Sequence, residues 1–173
     1  MTVLERTIQA YIKGDHDDDV VWTNLAYPLA ALGCSSPLAA GVVTGAGIML
    51  AIASGAYHAT YSDYAQKLDT TAMMGYLSSV TGCLVLPWVG AVLAAVAYPF
   101  YWLIETDSQI HVPSWAAVAL SVVAVKAGWW ALVPTLLFVA AGTLQLTTDS
   151  DSWLHSLWHV LGAAAAGVAL YLV

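Results

Sequence analysis

The sequence predicts an all-α fold: a polytopic membrane protein folded as a bundle of seven transmembrane helices. Composition, charge and the spacing of polar residues predict it. Of 173 residues, 60% are hydrophobic and 9% charged, with a mean hydropathy of +0.75, whereas soluble domains carry about 25% charged residues. The charge is acidic, 4 Lys and Arg against 11 Asp and Glu, for a net charge of -7. That leaves no basic face for nucleic acid and no Lys/Arg-rich face for lying on a membrane surface. Polar residues also divide the chain into apolar stretches close to the ~20 residues that cross a bilayer.

Residues 1–19 form a polar, acidic N-terminal segment ending in Asp15, Asp17, Asp18 and Asp19. It lacks the apolar core of a cleavable signal peptide. A first span is predicted over about 20–34, ending in the breaker cluster from Gly33 to Pro37. A second runs over about 38–60, and the polar stretch 61–69 separates it from a third at about 69–86. Pro87 marks the next turn, and a fourth span follows at about 88–104. The polar run from Glu105 to Pro113 reads as a loop. Residues 113–146 would be ~50 Å long as one helix, against a hydrocarbon core of ~30 Å. Two helices, about 113–126 and 129–146, meeting near Lys126 and Gly128, fit better. Thr147 to Ser152 is polar again, and the last span covers 152–173. The whole chain reads as one domain of sequential, neighbouring helices. Cys34 and Cys83 lie far apart in apolar surroundings and read as buried small residues.

Ionisable groups inside spans cost at least ~2.5–3.5 kcal/mol each, so their presence points to a task. Ser54 and His58 lie four residues apart near the end of the second span, on one helix face. Asp69 opens the third span beside Lys67. His155 and His159, again four apart, start the seventh, and their ring nitrogens can meet one cation. A third nitrogen from His58 completes a three-histidine set with one position left for water, the arrangement of a catalytic zinc. Helix parity supports the grouping. With seven spans, the end of the second, the start of the third and the start of the seventh all fall on the side of the N-terminus. With 113–146 as one crossing, the histidine pair would fall on the opposite side.

These residues resemble a known family. Ser54-x-x-x-His58-Ala-Thr, followed by Gln66-x-Leu-Asp69 and Met73, is similar to the second and third helices of the alkaline ceramidases. His155-Ser-Leu-Trp-His159-Val-Leu-Gly162 is similar to their last helix. That family belongs to the CREST superfamily of seven-helix membrane hydrolases. The resemblance implies zinc held by His58, His155 and His159, with Asp69 as general base and Ser54 stabilising the oxyanion. It implies hydrolysis of the amide bond of a ceramide-like lipid, entering from the bilayer, to a free fatty acid and a sphingoid-type amine. It also implies an N-terminal calcium site, for which Asp15, Asp17, Asp18, Asp19, Trp22 and Asn24 offer ligands; a solvated acidic surface is the other reading of that run. The chain departs from the family at Asp69-Thr70-Thr71-Ala72, where Asp-Glu followed by Pro is common.

Two further function classes are weighed. A receptor or regulatory protein of the same superfamily would keep the zinc site as a structural element. A retinal-binding protein needs a Schiff-base lysine in the last helix, and residues 152–173 contain none. Tyr57 and Tyr61 flank His58, while Trp158 is expected to face away from the histidines and pack. His16 and His111 are expected in solvent-exposed segments.

Overall fold

The computed structural model describes residues 23–104, 108–147 and 153–173, and the side chains of Ser108, Gln109, Trp153 and His155 are not among those described. The described residues form helices joined by short non-helical turns, with no strand among them. After a short α1 (Ala26–Leu29), which continues as a 3-10 turn to Gly33, come α2 (Pro37–Thr60), α3 (Asp63–Val85) and α4 (Pro87–Leu103). Then follow α5 (Ser108–Ala127), a 3-10 turn (Gly128–Ala131), α6 (Leu132–Thr147) and α7 (Trp153–Leu172).

Local chemistry sets the boundaries. Ser36 caps α2 by accepting from the Ala39 N–H at 3.2 Å, and Pro37 occupies the first turn, where its missing N–H is not needed. Tyr61 ends α2 in the left-handed conformation (φ 47°). Ser62 then caps α3, its hydroxyl accepting from Ala65 N–H at 3.3 Å. Gly128, at φ +59°, takes the left-handed conformation that ends α5.

Three expected boundaries move. The third helix starts at Asp63, because a serine cap with an acidic first turn starts a helix even in a polar stretch. Asp69 is thus the seventh residue of α3 rather than its opening. The helix after Glu105 starts at Ser108, and Pro113 and His111 lie inside it; the half-buried His111 ring packs on Tyr101, with centroids 5.8 Å apart. Among the described residues the first span is a broken helix. Pro28 brings no N–H to the ladder, and Tyr27 N–H bonds back to Asn24 C=O at 3.2 Å.

α3 lies at the centre, packed along α2, α4 and α5, and α7 packs against α6 and the α1 segment. The core runs through Tyr27, Val43, Leu50, Tyr76, Leu84, Val123 and Leu170. At Gly47 of α2, a Cβ would stand 2.6 Å from Pro28 N. Only glycine admits this approach, and it lets α1 lie against α2 and turn Tyr27 inward.

Much of the surface of the described residues is apolar. Val125, Leu146 and Leu136 are 87%, 79% and 67% exposed. Two stretches are long and apolar enough to cross a membrane, Pro37–Thr60 and Ile110–Thr147, the latter interrupted by the turn at Gly128. The hydroxyls of Ser114, Ser121, Thr135, Thr143 and Thr147 each donate to the carbonyl four residues earlier, at 2.7–2.9 Å. Hydroxyls satisfied by their own helix suit an environment that offers no water.

Candidate functional site

The two-residue turn between α2 and α3 brings the last turns of α2 beside the first turns of α3, and the start of α7 joins them. Ser54 and His58 of α2 are buried, as is His159 of α7. The His58 and His159 rings adjoin edge to face, with centroids 6.2 Å apart and planes at 84°. Asp69, half-buried on α3, has the Ser54 hydroxyl as a side-chain hydrogen-bonding partner. Tyr57 and Tyr61 bracket His58 with ring centroids at 5.3 and 6.0 Å. Lys67 points elsewhere, its Nζ 5.0 Å from the centre of the Trp102 ring.

Two contributors are unforeseen. The Tyr27 hydroxyl lies 3.0 Å from His159 Nδ1, and Tyr27 also packs edge-on against Tyr76 at 5.2 Å. The only sequence signal for Tyr27 is an aromatic beside Pro28 in a predicted span. Trp158 does not turn away from the histidines: its ring centroid is 4.1 Å from that of His159. Consecutive residues of a helix differ by about 100° in direction, too little to put Trp158 on the opposite side.

Buried imidazoles that adjoin suit a zinc ion. Two histidines on a tetrahedral zinc, with Zn–N near 2.0–2.1 Å, hold their ring centroids roughly 5 Å apart. The His58–His159 pair is about an ångström wider, within reach of side-chain rotation. His155 precedes His159 by four residues on α7, and its side chain lies outside those described. Among the described residues, no three His, Cys, Asp or Glu side chains form a metal-sized group. Asn24 is fully buried, and Asp15, Asp17, Asp18, Asp19, Trp22 and His16 lie outside the described residues.

Beside this cluster lies a small apolar cavity of about 80 Å³, part of it open to the outside. Tyr27 and Trp158 line it at the histidine end, and α3, α5, α6 and α7 supply most of its wall. No protein-family model matches the sequence, and neither does any curated protein or solved structure.

Proposed function

We propose that this chain is a multi-pass membrane hydrolase that binds zinc through His58, His155 and His159 and cleaves the amide bond of a ceramide-like lipid. The products are a free fatty acid and a sphingoid-type amine. The observation that carries the reading is the buried His58–His159 pair beside Ser54 and Asp69, next to an apolar cavity that Tyr27 and Trp158 help to line. The likeness of these residues and of His155 to alkaline ceramidase motifs supplies the reaction class. The apolar outer surface supports the membrane setting, since exposed apolar area on this scale is a liability in water. The seven-span bundle belongs to this same reading.

Each residue has a distinct task. A zinc ion bound there supplies Lewis acidity toward the amide carbonyl and makes water nucleophilic at neutral pH. Asp69 accepts the proton released by the attacking water and returns it to the departing amine. Ser54 donates a hydrogen bond to the oxyanion that develops on the substrate carbonyl. Tyr27 holds His159 through Nδ1, so coordination by that ring falls to Nε2.

The test is metal analysis of the detergent-purified protein combined with mass-spectrometric detection of fatty acid released from lipid amides. The reading expects about one zinc per chain, lost on combined His155→Ala and His159→Ala substitution, and turnover that Asp69→Asn abolishes with zinc retained. Zinc-free protein, zinc retained in full by the double variant, or unchanged turnover in Asp69→Asn would each refute it.

A further inference from the structure

The end of α3 opposite the histidines carries a cation with no matching carboxylate. Among the described residues the only Lys and Arg are Lys67 and Lys126, and the only Asp and Glu are Asp63 and Asp69. Both carboxylates and Lys67 lie in the first turns of α3. Lys126, near the end of α5, reaches the other end of α3, where its Nζ donates to the C=O of Leu84 at 2.7 Å and of Val85 at 3.3 Å. Asp69 stands about 24 Å of helix away from Val85. An ammonium has three N–H donors. The two carbonyls leave one N–H, and the positive charge has no counter-ion among the described residues.

The ammonium borders an open, apolar groove of about 550 Å³. Val118, Ser121, Val122 and Val125 line it from one face of α5, and Val85 lines it from the end of α3. Val85, Val118 and Val125 are 43%, 51% and 87% exposed. The hydroxyl in this wall is engaged within its own helix, since Ser121 donates to Ala117 C=O at 2.7 Å. From Val118 to Lys126 the face rises about 12 Å, so the charge stands at one end of a hydrocarbon strip. The exposed Trp129 and Trp130 follow directly, in the turn between α5 and α6. Tryptophans gather at the headgroup level of a bilayer, and a lysine near a helix end extends its ammonium to that level.

We propose that this groove binds one anionic phospholipid, with its phosphate on Lys126 Nζ and an acyl chain along Val118, Val122 and Val125. A soluble anion fits the ammonium but makes no use of the valine strip. A zwitterionic lipid fits the strip but brings a cation of its own, for which the described residues offer no carboxylate at this end. A net negative head group answers both the charge and the remaining N–H. The inference rests on the membrane setting of the proposed function, and on neither zinc nor hydrolysis.

The delipidated full chain in detergent is titrated with phosphatidylglycerol and with phosphatidylcholine of identical acyl chains, and bound lipid is counted by native mass spectrometry. Phosphatidylglycerol should bind about fivefold more tightly, the weight of one cation at a membrane surface. Lys126→Met should erase the difference, and Lys126→Arg, which keeps the charge, should retain it. Lys126→Met also releases the end of α3, so a second variant separates charge from fold. Val125→Glu sets a carboxylate in the groove at an exposed position and leaves both carbonyl bonds of Lys126 in place; it too should erase the preference. Lys67→Met, at the other end of α3, should retain it, and millimolar inorganic phosphate should not displace the lipid. Equal binding of the two lipids would overturn the site. So would a preference that survives Lys126→Met or Val125→Glu, one that is lost with Lys67, or displacement by phosphate. A chain that stays monodisperse in water without detergent would remove the membrane setting and this site with it. A detergent-dependent chain that lacks the preference removes the site alone.

Discussion

The Tyr27 hydroxyl lies 3.0 Å from His159 Nδ1, joining α1 to α7 across 132 residues of sequence. If Nδ1–H donates to the tyrosine oxygen, the Nε2 lone pair is the one presented to a metal. A partner on the second ring nitrogen of a metal-binding histidine fixes the tautomer and orientation of the ring. Tyr27→Phe keeps the ring and its edge contact with Tyr76 but removes the hydroxyl. We expect zinc affinity to fall by about 10–100-fold, with little change in thermal stability. Competition against a calibrated chelator measures the first and a melting curve the second. Unchanged zinc affinity would show that the contact is packing alone.

Ser54 and Asp69 are one hydrogen-bonded pair with separable tasks. Asp69→Asn conserves shape while removing the proton acceptor, and should cost on the order of 10²–10⁴ in kcat. Ser54→Ala removes one oxyanion donor and should cost on the order of 10² in kcat, with KM little changed. Steady-state hydrolysis of a lipid amide reads both. Because each acts on the same reacting centre, the double variant should lose less than the sum of the two in free energy. Full additivity would mean that the two side chains do not share a step.

Lys126 offers a purely structural prediction. Its ammonium closes the last carbonyls of α3 from α5, groups that a helix end leaves without intrahelical partners. Lys126→Met keeps the aliphatic stem and should cost about 1–3 kcal/mol, the range for charge-assisted hydrogen bonds and unsatisfied acceptors. Thermal unfolding in detergent checks it. Zinc content should not change, since Lys126 stands at the opposite end of α3 from Asp69. A loss of zinc in this variant would mean that the latch controls the whole bundle.

Periodicity and spacing made part of this site legible. Residues four apart on one helix share a face, which pairs Ser54 with His58, and counting crossings puts the starts of α3 and α7 near the end of α2. All-helical architecture follows from hydropathy alone. Other features depend on information that a single strand of sequence does not carry. Tyr27 reaches His159 only because α1 is broken at Pro28 and because Gly47 lets it approach α2. The cavity is what four helices leave unfilled, and no residue marks it by itself. The starts of α3 and α5 are misread for a different reason: polar residues signal solvent as readily as they signal a loop. A capped helix can extend past its apolar part, as α3 does from Ser62 to Asp69.

The number of crossings has a direct chemical test. Cys34 and Cys83 are free thiols and are replaced first by alanine or serine. Single cysteines are then placed at Ser62, in the turn between α2 and α3, and at Trp129, in the turn between α5 and α6. Trp129 is exposed and stacked on Trp130 at 3.9 Å, as expected of aromatics at a membrane interface. Under the seven-span reading these two turns lie on opposite sides of the bilayer, because three crossings separate them. A membrane-impermeant maleimide applied to sealed vesicles should label one from outside and the other only after permeabilisation. The same pair tests the site. The parity that separates Ser62 from Trp129 also brings the start of α7 to the side of Ser62, and hence His159 to His58. Labelling of both turns from one side would remove the seven-span topology and, with it, the argument that gathers the three histidines.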